Sequence, residues 1–355
     1  MSTYTDALPL GVTIGRLASA SLQAQANELS RLAKSMSEAL AEPDPSAFAD
    51  MIDGIAVRTI PRWHFAMLND TERNDALAMA LKLNVREGDH VLDIGTGTGL
   101  LAMMAARAGA ARVTTCEENP LLAEIARQVI ESHGLTDVIT VVPKRSTELR
   151  IGQDIDAPVD VIVSEIVDCG LVGEGLLPTM RHARDHLLRP GGVLLPRAAR
   201  LRGFLVDSQA VTGLNRAGVA AGFDVSLINL VATRGHFPVR LRTWRHEVLS
   251  EPVELVHFDL CNGDLEAGRR VVSIPVTATG EAHGVVAWFE MELCEGVELC
   301  NHPDNDGSHW MQALMLFDRP VSVTAGESLD VELSWTDYRL TCSDLATPTL
   351  RGTSR

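Results

Sequence analysis

The stretch HVLDIGTGTGL, His90 to Leu100, joins an apolar run to a glycine repeat and decides the fold class. Its opening residues predict a buried strand, and the residues after the glycines, LLAMMAARAG, predict a helix. Glycines between a strand and a helix have no side chains, so a ligand can approach the backbone at the helix N-terminus. The stretch therefore predicts a ligand-binding turn of the kind that parallel α/β sheets carry.

Strands and helices continue to alternate downstream of this turn. The further strands are RVTTCE, ITVVPK and VDVIVSE, and the further helices are NPLLAEIARQVIESHG and LPTMRHARDHLL, the last ending at RPGG. Such alternation is typical of βαβ units, in which helices cover both faces of a parallel sheet. We therefore predict an α/β fold with a Rossmann-like domain over residues 61–196.

The pattern changes after Pro196. Six segments alternate or run apolar over strand lengths: RLRGFLVDS, VELVHFDL, RRVVSIPVTAT, GVVAWFEMEL, HWMQALMLF and SLDVELSW. They predict a mostly antiparallel β domain over residues 197–355, with an inserted segment of mixed character near 209–240.

Residues 1–60 form a separate N-terminal segment in this prediction. Apolar residues at three-to-four spacing predict a helix from about residue 14 to about residue 41. They are Ile14, Leu17, Leu22, Leu29, Leu32, Met36 and Leu40. AEPDPSA ends this helix, and FADMIDGIAV predicts a second, short one. The amphipathic helix suggests a partner surface or a cap over the substrate site.

Composition excludes several classes of function. The formal net charge of −16, from 31 Lys and Arg against 47 Asp and Glu, argues against a nucleic-acid partner. The six cysteines contain no CxxC pair, so we expect neither a disulfide framework nor a metal site, and we predict a cytoplasmic protein. The N-terminus has no signal-peptide pattern and no run of about 18 apolar residues occurs, so we expect no membrane partner.

Two acidic residues indicate which ligand the glycine turn binds. Asp93 precedes Gly95 by two positions, and the arrangement D-x-G-x-G-x-G, completed by Gly97 and Gly99, resembles that of S-adenosyl-L-methionine-dependent methyltransferases. Glu117 ends the next strand, where a carboxylate can hold both hydroxyls of a ribose. We predict S-adenosyl-L-methionine as the cofactor; a nicotinamide cofactor and a purely structural turn are the alternatives.

A second acidic feature lies in SEIVDCGLVGEG, Ser164 to Gly175. Glu165 continues an apolar strand, and Glu174 follows nine positions later on a bend rich in small residues. A guanidinium group is planar, remains charged in water and offers five N–H donors. Two carboxylates can neutralise it beside a sulfonium and orient one nitrogen toward the methyl group. The pair predicts methyl transfer to a guanidinium, with two solvated loop acids as the alternative.

These residues carry a resemblance to the protein arginine methyltransferases. SEIVDCGLVGEG resembles their double-glutamate loop, and its flanks are most similar to the type III, monomethylating branch. The resemblance covers the chain from about Trp63 to Tyr338. It implies that the β domain is a barrel, that the inserted segment is a dimerisation arm, and that the protein is a homodimer.

The resemblance also assigns roles to MLNDTER and the residues before it. It implies that Arg73 pairs with the methionyl carboxylate of the cofactor, Met67 packs near the transferred methyl, and His64 lies over the cofactor. Arg73 as a surface cation and Met67 as a core residue remain the alternatives.

Two more segments match the family. KRST resembles the adenine-side segment and implies that Arg145 and Ser146 bind the cofactor, although many relatives have an acid in place of the serine. SHWMQ resembles the threonine-histidine-tryptophan loop and implies that His309 pairs with Asp70 and that Trp310 lines the acceptor pocket. Core packing is the alternative for both aromatic residues. The catalytic candidates are Glu165, Glu174, His309 and Asp70.

The sequence leaves two possible acceptors, arginine in a polypeptide and free L-arginine. The family's usual acceptor is an arginine of a flexible polypeptide, whereas some bacterial relatives methylate free L-arginine during biosynthesis of nitrosourea-type natural products. The chain resembles the latter and shows no appended recognition domain, so we expect free L-arginine, methylated once. A protein arginine methyltransferase is the alternative, and a non-catalytic scaffold that binds the cofactor is the second alternative.

Overall fold

The computed structural model describes residues 10–41, 53–54 and 59–345. The chain divides into two compact units, residues 1–64 and 65–355. The first contains α1, Leu10–Ala41, which agrees with the predicted long helix. The second predicted helix, residues 48–57, lies outside the described residues except for positions 53 and 54, which are helical.

A five-stranded parallel sheet forms the centre of the larger unit. Its strands are β1 (His90–Ile94), β2 (Arg112–Cys116), β3 (Ile139–Val142), β4 (Val159–Ser164) and β5 (Leu188–Leu195). Their order is β3-β2-β1-β4-β5. Every residue of β1 is buried, as expected of a parallel strand covered on both faces. The chain turns in opposite directions after β1 and after β4, and such a reversal opens a crevice at the carboxyl ends of the strands.

Two further helices precede these strands, and three connect them. They are α2 (Trp63–Leu68), which crosses the boundary between the units, α3 (Thr71–Asn84), α4 (Leu100–Arg107), α5 (Pro120–Ser132) and α6 (Leu176–His182). A π-helical turn, Ala183–Leu187, extends α6 to the predicted helix end. The fifth strand was not predicted, because RPGG reads as a turn. Gly192 allows this strand to lie close to β4, because a Cβ at that position would lie only 2.9 Å from the Asp160 carbonyl oxygen.

Antiparallel pairing begins at Ala198, as predicted for the C-terminal part. The strands are β6 (Ala198–Asp207), β7 (Val219–Ala220), β8 (Phe223–Asp224), β9 (His236–Val239), β10 (Glu247–Val248), β11 (Val253–Asp259), β12 (Gly268–Pro275), β13 (Gly280–Cys294), β14 (Val297–Cys300), β15 (Gln312–Val323), β16 (Ser328–Trp335) and β17 (Leu340–Asp344). A seven-stranded sheet has the path β10-β6-β13-β15-β9, with β11 on β6 and β14 on β13. A second sheet has the order β12-β16-β17.

One hydrophobic core joins the parallel and antiparallel parts. It contains Leu92 and Ile162 from the parallel sheet together with Phe289 and Val331 from the antiparallel sheets. The predicted Rossmann-like core, antiparallel barrel-like part and N-terminal helix are thus present. A domain boundary at residue 196 stays a prediction, since the core is continuous across it.

The predicted insertion is a mostly exposed arm that ends in a strand. Residues 209–235 contain α7 (Gln209–Thr212), the β7–β8 hairpin and a 3-10 turn, Ser226–Val231. Val219 and Phe223 are 75% and 73% exposed. β9 then pairs with β15 and returns the chain to the large sheet. Within the described residues, no helix is long and apolar enough to cross a membrane.

Candidate active site

The glycine turn lies between β1 and α4, and the N–H groups of Gly95 and Thr96 donate to the Cys116 carbonyl of β2 at 3.1 and 3.0 Å. Gly95, Gly97 and Gly99 have φ angles of 89°, 53° and 86°, in the left-handed region that glycine adopts without strain. A Cβ at Gly95 would lie 2.7 Å from a methyl carbon of Ile166, whereas a Cβ at Gly97 would have no neighbour within 4 Å. The turn therefore packs against the double-glutamate loop on one side and leaves open backbone on the other.

Asp93 lies beneath this turn as a fully buried acid. Its Oδ2 accepts a hydrogen bond from the Thr115 hydroxyl at 2.8 Å, and its Oδ1 has no partner among the described residues. Burial raises the pKa of Asp93 to about 7. A buried polar atom without a partner usually binds water or a ligand group, so the site beneath the turn fits a polar ligand.

Glu117 follows β2 directly and faces the turn. Its Oε2 accepts the Gly97 N–H at 3.0 Å, and its Oε1 accepts the Asn119 N–H at 2.8 Å. An ionised carboxylate has about four acceptor positions, so both oxygens can still bind the hydroxyls of a ribose. This arrangement fits the cofactor position that was predicted.

The segment after β3 reaches the same edge of the sheet. The Arg145 side chain is exposed and forms an ion pair with Glu118. Ser146 is buried at the start of a 3-10 turn, Ser146–Glu148. The predicted contacts of both residues with the cofactor stay predictions.

A buried ion pair joins α3 to the end of β4. Arg73 Nε donates to Glu165 Oε2 at 2.7 Å, and Arg73 Nη2 donates to the same oxygen. Both hydrogen bonds of Arg73 go to Oε2 and leave Glu165 Oε1 uncontacted by Arg73, and both side chains are only 3% exposed. Burial raises the pKa of Glu165, and the charge of Arg73 opposes that rise. Arg73 thus neutralises the first glutamate here, and its predicted contact with the cofactor carboxylate stays a prediction.

Glu174 lies on the same loop as Glu165, and the charge of Glu165 acts on it. Solvent reaches its side chain, although protein groups surround it on most sides. This loss of hydration, together with the charges of Glu165 and Asp168, raises the pKa of Glu174 to about 7. Near neutral pH, Glu174 can therefore both accept a proton and bind a cation.

Trp310 anchors the double-glutamate loop from the β domain. Its indole N–H donates to the Val167 carbonyl at 3.0 Å, and its ring meets Phe289 edge-on with centroids 5.1 Å apart. Leu171, in the same loop, has a φ of 73°, which is unfavourable for a residue other than glycine. The contacts around the loop must therefore stabilise this backbone conformation. Trp310 supports the loop through its hydrogen bond to Val167, and its predicted contact with the acceptor stays a prediction.

Asp70 and His309 are paired, as the resemblance implied. Asp70 caps α3 by accepting the Arg73 N–H at 3.0 Å, and its other oxygen accepts the His309 N–H at 2.9 Å and Nδ1–H at 2.8 Å. Burial opposes ionisation of Asp70, but these hydrogen bonds outweigh it and lower the pKa. Burial also lowers the pKa of His309, although the hydrogen bond and charge of Asp70 oppose this, and the neutral imidazole is thereby favoured. This geometry fits fastening of α3 to the β domain better than proton transfer.

Met67 and His64 lie on α2, on opposite sides of the boundary between the two units. Met67 is half-buried, and its carbonyl accepts the Asp70 N–H at 3.2 Å. His64 belongs to the N-terminal unit, where its Nδ1 contacts the Pro61 carbonyl at 2.9 Å and its ring stacks on Trp63. The roles that the resemblance gave these residues stay predictions.

Two residues that contact each other at the double-glutamate loop were not predicted as site residues from the sequence. Asp168 lies between the two glutamates, and its Oδ1 accepts the N–H groups of Gly170 at 3.1 Å and Gly173 at 2.9 Å. An aspartate followed two residues later by glycine is typical of a side-chain-capped turn, and this signal could have identified it. Its other partner, His236, lies 68 positions away, and no local pattern indicates that contact.

Comparison with known proteins agrees with this geometry. The family model for ribosomal protein L11 methyltransferase matches residues 76–190, and that for the arginine methyltransferase oligomerization subdomain matches residues 214–346. An arginine N(omega)-methyltransferase of Streptomyces achromogenes subsp. streptozoticus is 57% identical over 330 residues, which are 92% of this chain and 91% of that protein. The chain belongs to the protein arginine methyltransferase family.

More distant members of the family match part of their length or the fold. Protein arginine N-methyltransferase 1.6 of Arabidopsis thaliana is 35% identical over 257 residues, 68% of this chain but only 35% of that protein. The Trypanosoma brucei PRMT1 enzyme-prozyme heterotetrameric complex with AdoHcy has a TM-score of 0.66 and 25% identity, over 76% of this chain and 86% of that one. These matches confirm the prediction that the protein is a methyltransferase and that S-adenosyl-L-methionine is its cofactor.

Proposed function

We propose that this methyltransferase places one methyl group on a terminal guanidino nitrogen of free L-arginine. The observation that carries the proposal is the pair of acids on the loop after β4: Glu165, whose side chain is buried and contacts Arg73 through Oε2 and not Oε1, and Glu174, on which the charge of Glu165 acts. The name of the 57% identical relative, arginine N(omega)-methyltransferase, supports arginine as the acceptor. Single methylation rests on the resemblance to the monomethylating branch.

The charges of the site suit one guanidinium. Arg73 balances Glu165, which leaves Glu174 to balance an incoming cation. Glu165 Oε1 and Glu174 can then accept N–H groups from two sides of the planar guanidinium and hold one nitrogen in line with the methyl group.

A proton must leave when a guanidinium is methylated. The guanidinium nitrogen forms the new C–N bond, the C–S bond breaks with its electrons left on sulfur, and the methylated product stays cationic, so one N–H proton is released. Glu174, with a pKa of about 7, matches the proton acceptor that such a step needs. We therefore assign Glu174 both binding of the acceptor and acceptance of its proton.

The methyl donor fits the glycine turn. Gly97 offers open backbone, Glu117 offers carboxylate oxygens to a ribose, and Asp93 has a buried oxygen without a partner among the described residues. S-adenosyl-L-methionine supplies an electrophilic methyl group on a sulfonium. Glu117, after β2, would hold its ribose, while Glu165 and Glu174, after β4 on the other side of β1, hold the acceptor.

Activity should depend on the ionisation of Glu174. Its pKa of about 7 is raised above the ordinary value, so the carboxylate that binds the guanidinium is lost as pH falls through about 7. We expect kcat/KM for L-arginine to rise with pH through an apparent pKa near 7, since kcat/KM reports groups of the free enzyme. Initial rates over a pH series test this, and a flat profile across neutral pH would contradict the assignment.

The acceptor is tested by a direct competition of substrates. The enzyme is incubated with methyl-labelled S-adenosyl-L-methionine and either L-arginine or an Arg/Gly-rich peptide, and the products are measured by mass spectrometry. We expect singly methylated L-arginine as the main product. Faster methylation of the peptide would favour the polypeptide alternative, and no transfer to either would favour the non-catalytic scaffold.

We also propose that the chain forms a homodimer through its arm. The match of residues 214–346 to an oligomerization subdomain supports this, as do the exposed Val219, Phe223 and Leu227 of the arm. Phe223→Asp should therefore shift the protein from dimer to monomer in analytical ultracentrifugation. A wild-type protein that sediments as a monomer at micromolar concentration would contradict the proposal.

A cytoplasmic role in natural product biosynthesis completes the proposed function. All six cysteines are free, which supports a reducing compartment. The resemblance to bacterial enzymes that methylate free L-arginine supports the pathway class. Deletion of the gene should remove Nω-methyl-L-arginine and products built from it from cell extracts, and unchanged levels would argue against this role.

A further inference from the structure

The His236 ring lies against the double-glutamate loop from outside the parallel sheet. Its Nε2–H donates to Asp168 Oδ2, and its side chain is 7% exposed. Its Nδ1 lies 3.4 Å from the Leu340 carbonyl oxygen of β17. Burial lowers the pKa of His236, but the hydrogen bond and charge of Asp168 outweigh burial and raise it. His236 therefore links the loop to the β domain through a short polar contact.

Two glycines of the loop leave the space that this contact needs. A Cβ at position 170 would lie 2.5 Å from His236 Nε2, and a Cβ at position 173 would lie 2.5 Å from Asp168 Cγ. Neither space admits a side chain, so Gly170 and Gly173 are required by the Asp168–His236 pair. The same two glycines donate their N–H groups to Asp168 Oδ1. Asp168 thus closes the loop on one oxygen and binds His236 with the other.

The closed turn sits directly before the second catalytic acid. Gly173 precedes Glu174, and the charge of Asp168 is one cause of the raised Glu174 pKa. A shift of Asp168 would therefore move the backbone that carries Glu174 as well as its electrostatic surroundings.

We propose that His236, acting through Asp168, is a positioning residue that holds the double-glutamate loop so that Glu174 reaches the acceptor. His236 is the first residue of β9, immediately after the arm, and it pairs with Met315 of the large sheet. The contact therefore connects the end of the arm to the loop that carries the acids. This inference rests on the role proposed above for Glu174.

The test compares two substitutions of the histidine. His236→Phe keeps a ring but cannot donate to Asp168, whereas His236→Gln keeps an N–H near the position of Nε2. We expect His236→Phe to lower kcat about 10- to 100-fold, because small displacements of a catalytic group have effects of this size. Binding of S-adenosyl-L-homocysteine, measured by calorimetry, should stay at the wild-type value, and His236→Gln should recover most of kcat. If His236→Phe does not fold, His236→Asn, whose amide is too short to reach Asp168, replaces it.

The matched control is His257, an exposed histidine of β11, for which the substitutions to Phe and Gln should leave kcat unchanged. A wild-type kcat in His236→Phe would overturn the proposal. So would an equal loss of kcat, cofactor binding and melting temperature in the Phe and Gln variants, since that would assign His236 a general structural role. All rates are measured with whichever acceptor the wild-type enzyme methylates, so failure of the free-arginine proposal is seen separately in the wild-type protein.

Discussion

Glu174→Gln is expected to lower turnover of L-arginine by about 10²- to 10³-fold, the usual effect of removing one electrostatic contact to a reacting group. Glutamine has nearly the same shape but carries no charge, so it can neither balance the guanidinium nor accept its proton. Steady-state kinetics would show the loss in kcat. Binding of S-adenosyl-L-homocysteine, measured by calorimetry, should be nearly unchanged because Glu117 and the glycine turn remain intact.

The matched control for this variant is Glu251→Gln, at an exposed acid that precedes β11. It removes the same charge and should leave kcat unchanged. Glu165→Gln should resemble Glu174→Gln in turnover, since the guanidinium then has one anionic partner instead of two. Wild-type turnover in both Glu165→Gln and Glu174→Gln would contradict the two-carboxylate mechanism.

Arg73→Met is expected to destabilise the fold by about 3–5 kcal/mol at neutral to alkaline pH, because it leaves the buried Glu165 charge without its partner. Burial already raises the pKa of Glu165, and removal of the Arg73 charge raises it further. The folded-state pKa then exceeds the unfolded-state value of about 4.3. The folded protein binds more protons than the unfolded one between these values, so stability falls as pH rises through the folded-state pKa. The stability lost in Arg73→Met is smallest below the unfolded-state pKa, where Glu165 is protonated in both states.

Urea unfolding of Arg73→Met in acid and in alkaline buffer measures this dependence. Adding Glu165→Gln to Arg73→Met should recover part of the stability at high pH, since no buried charge then remains. The control is Arg270→Met, at an exposed arginine of β12, for which a change within about 0.5 kcal/mol is expected. A loss in Arg73→Met that is independent of pH would show that Glu165 does not depend on Arg73 for its charge.

Local sequence patterns account for most of the parallel sheet and of the antiparallel part. The run HVLDI and the glycines after it are short-range signals, and each has a direct structural counterpart in β1 and the left-handed turn. β5 escaped prediction because its first half, RPGG, has turn residues. Its strand conformation depends on pairing with β4, which is a long-range contact.

The candidate site was predictable where residues lie at the carboxyl ends of the two strands that flank β1. Glu117 and Glu165 follow β2 and β4, so their position at one edge of the sheet follows from the fold. The Arg73–Glu165 pair joins residues 92 positions apart, and no spacing within the chain indicates it. The Asp168–His236 contact likewise requires the arm to return as β9, which only tertiary structure can bring about.

The most direct test of the account is a crystal structure of the enzyme with S-adenosyl-L-homocysteine and L-arginine. We predict that the guanidinium nitrogens lie about 3 Å from Glu165 Oε1 and from the Glu174 carboxylate, the distance of a charge-assisted hydrogen bond. Arg73 should still contact Glu165 Oε2 in that complex. A Glu165 or Glu174 side chain turned away into solvent, with the guanidinium bound by other groups, would contradict the account.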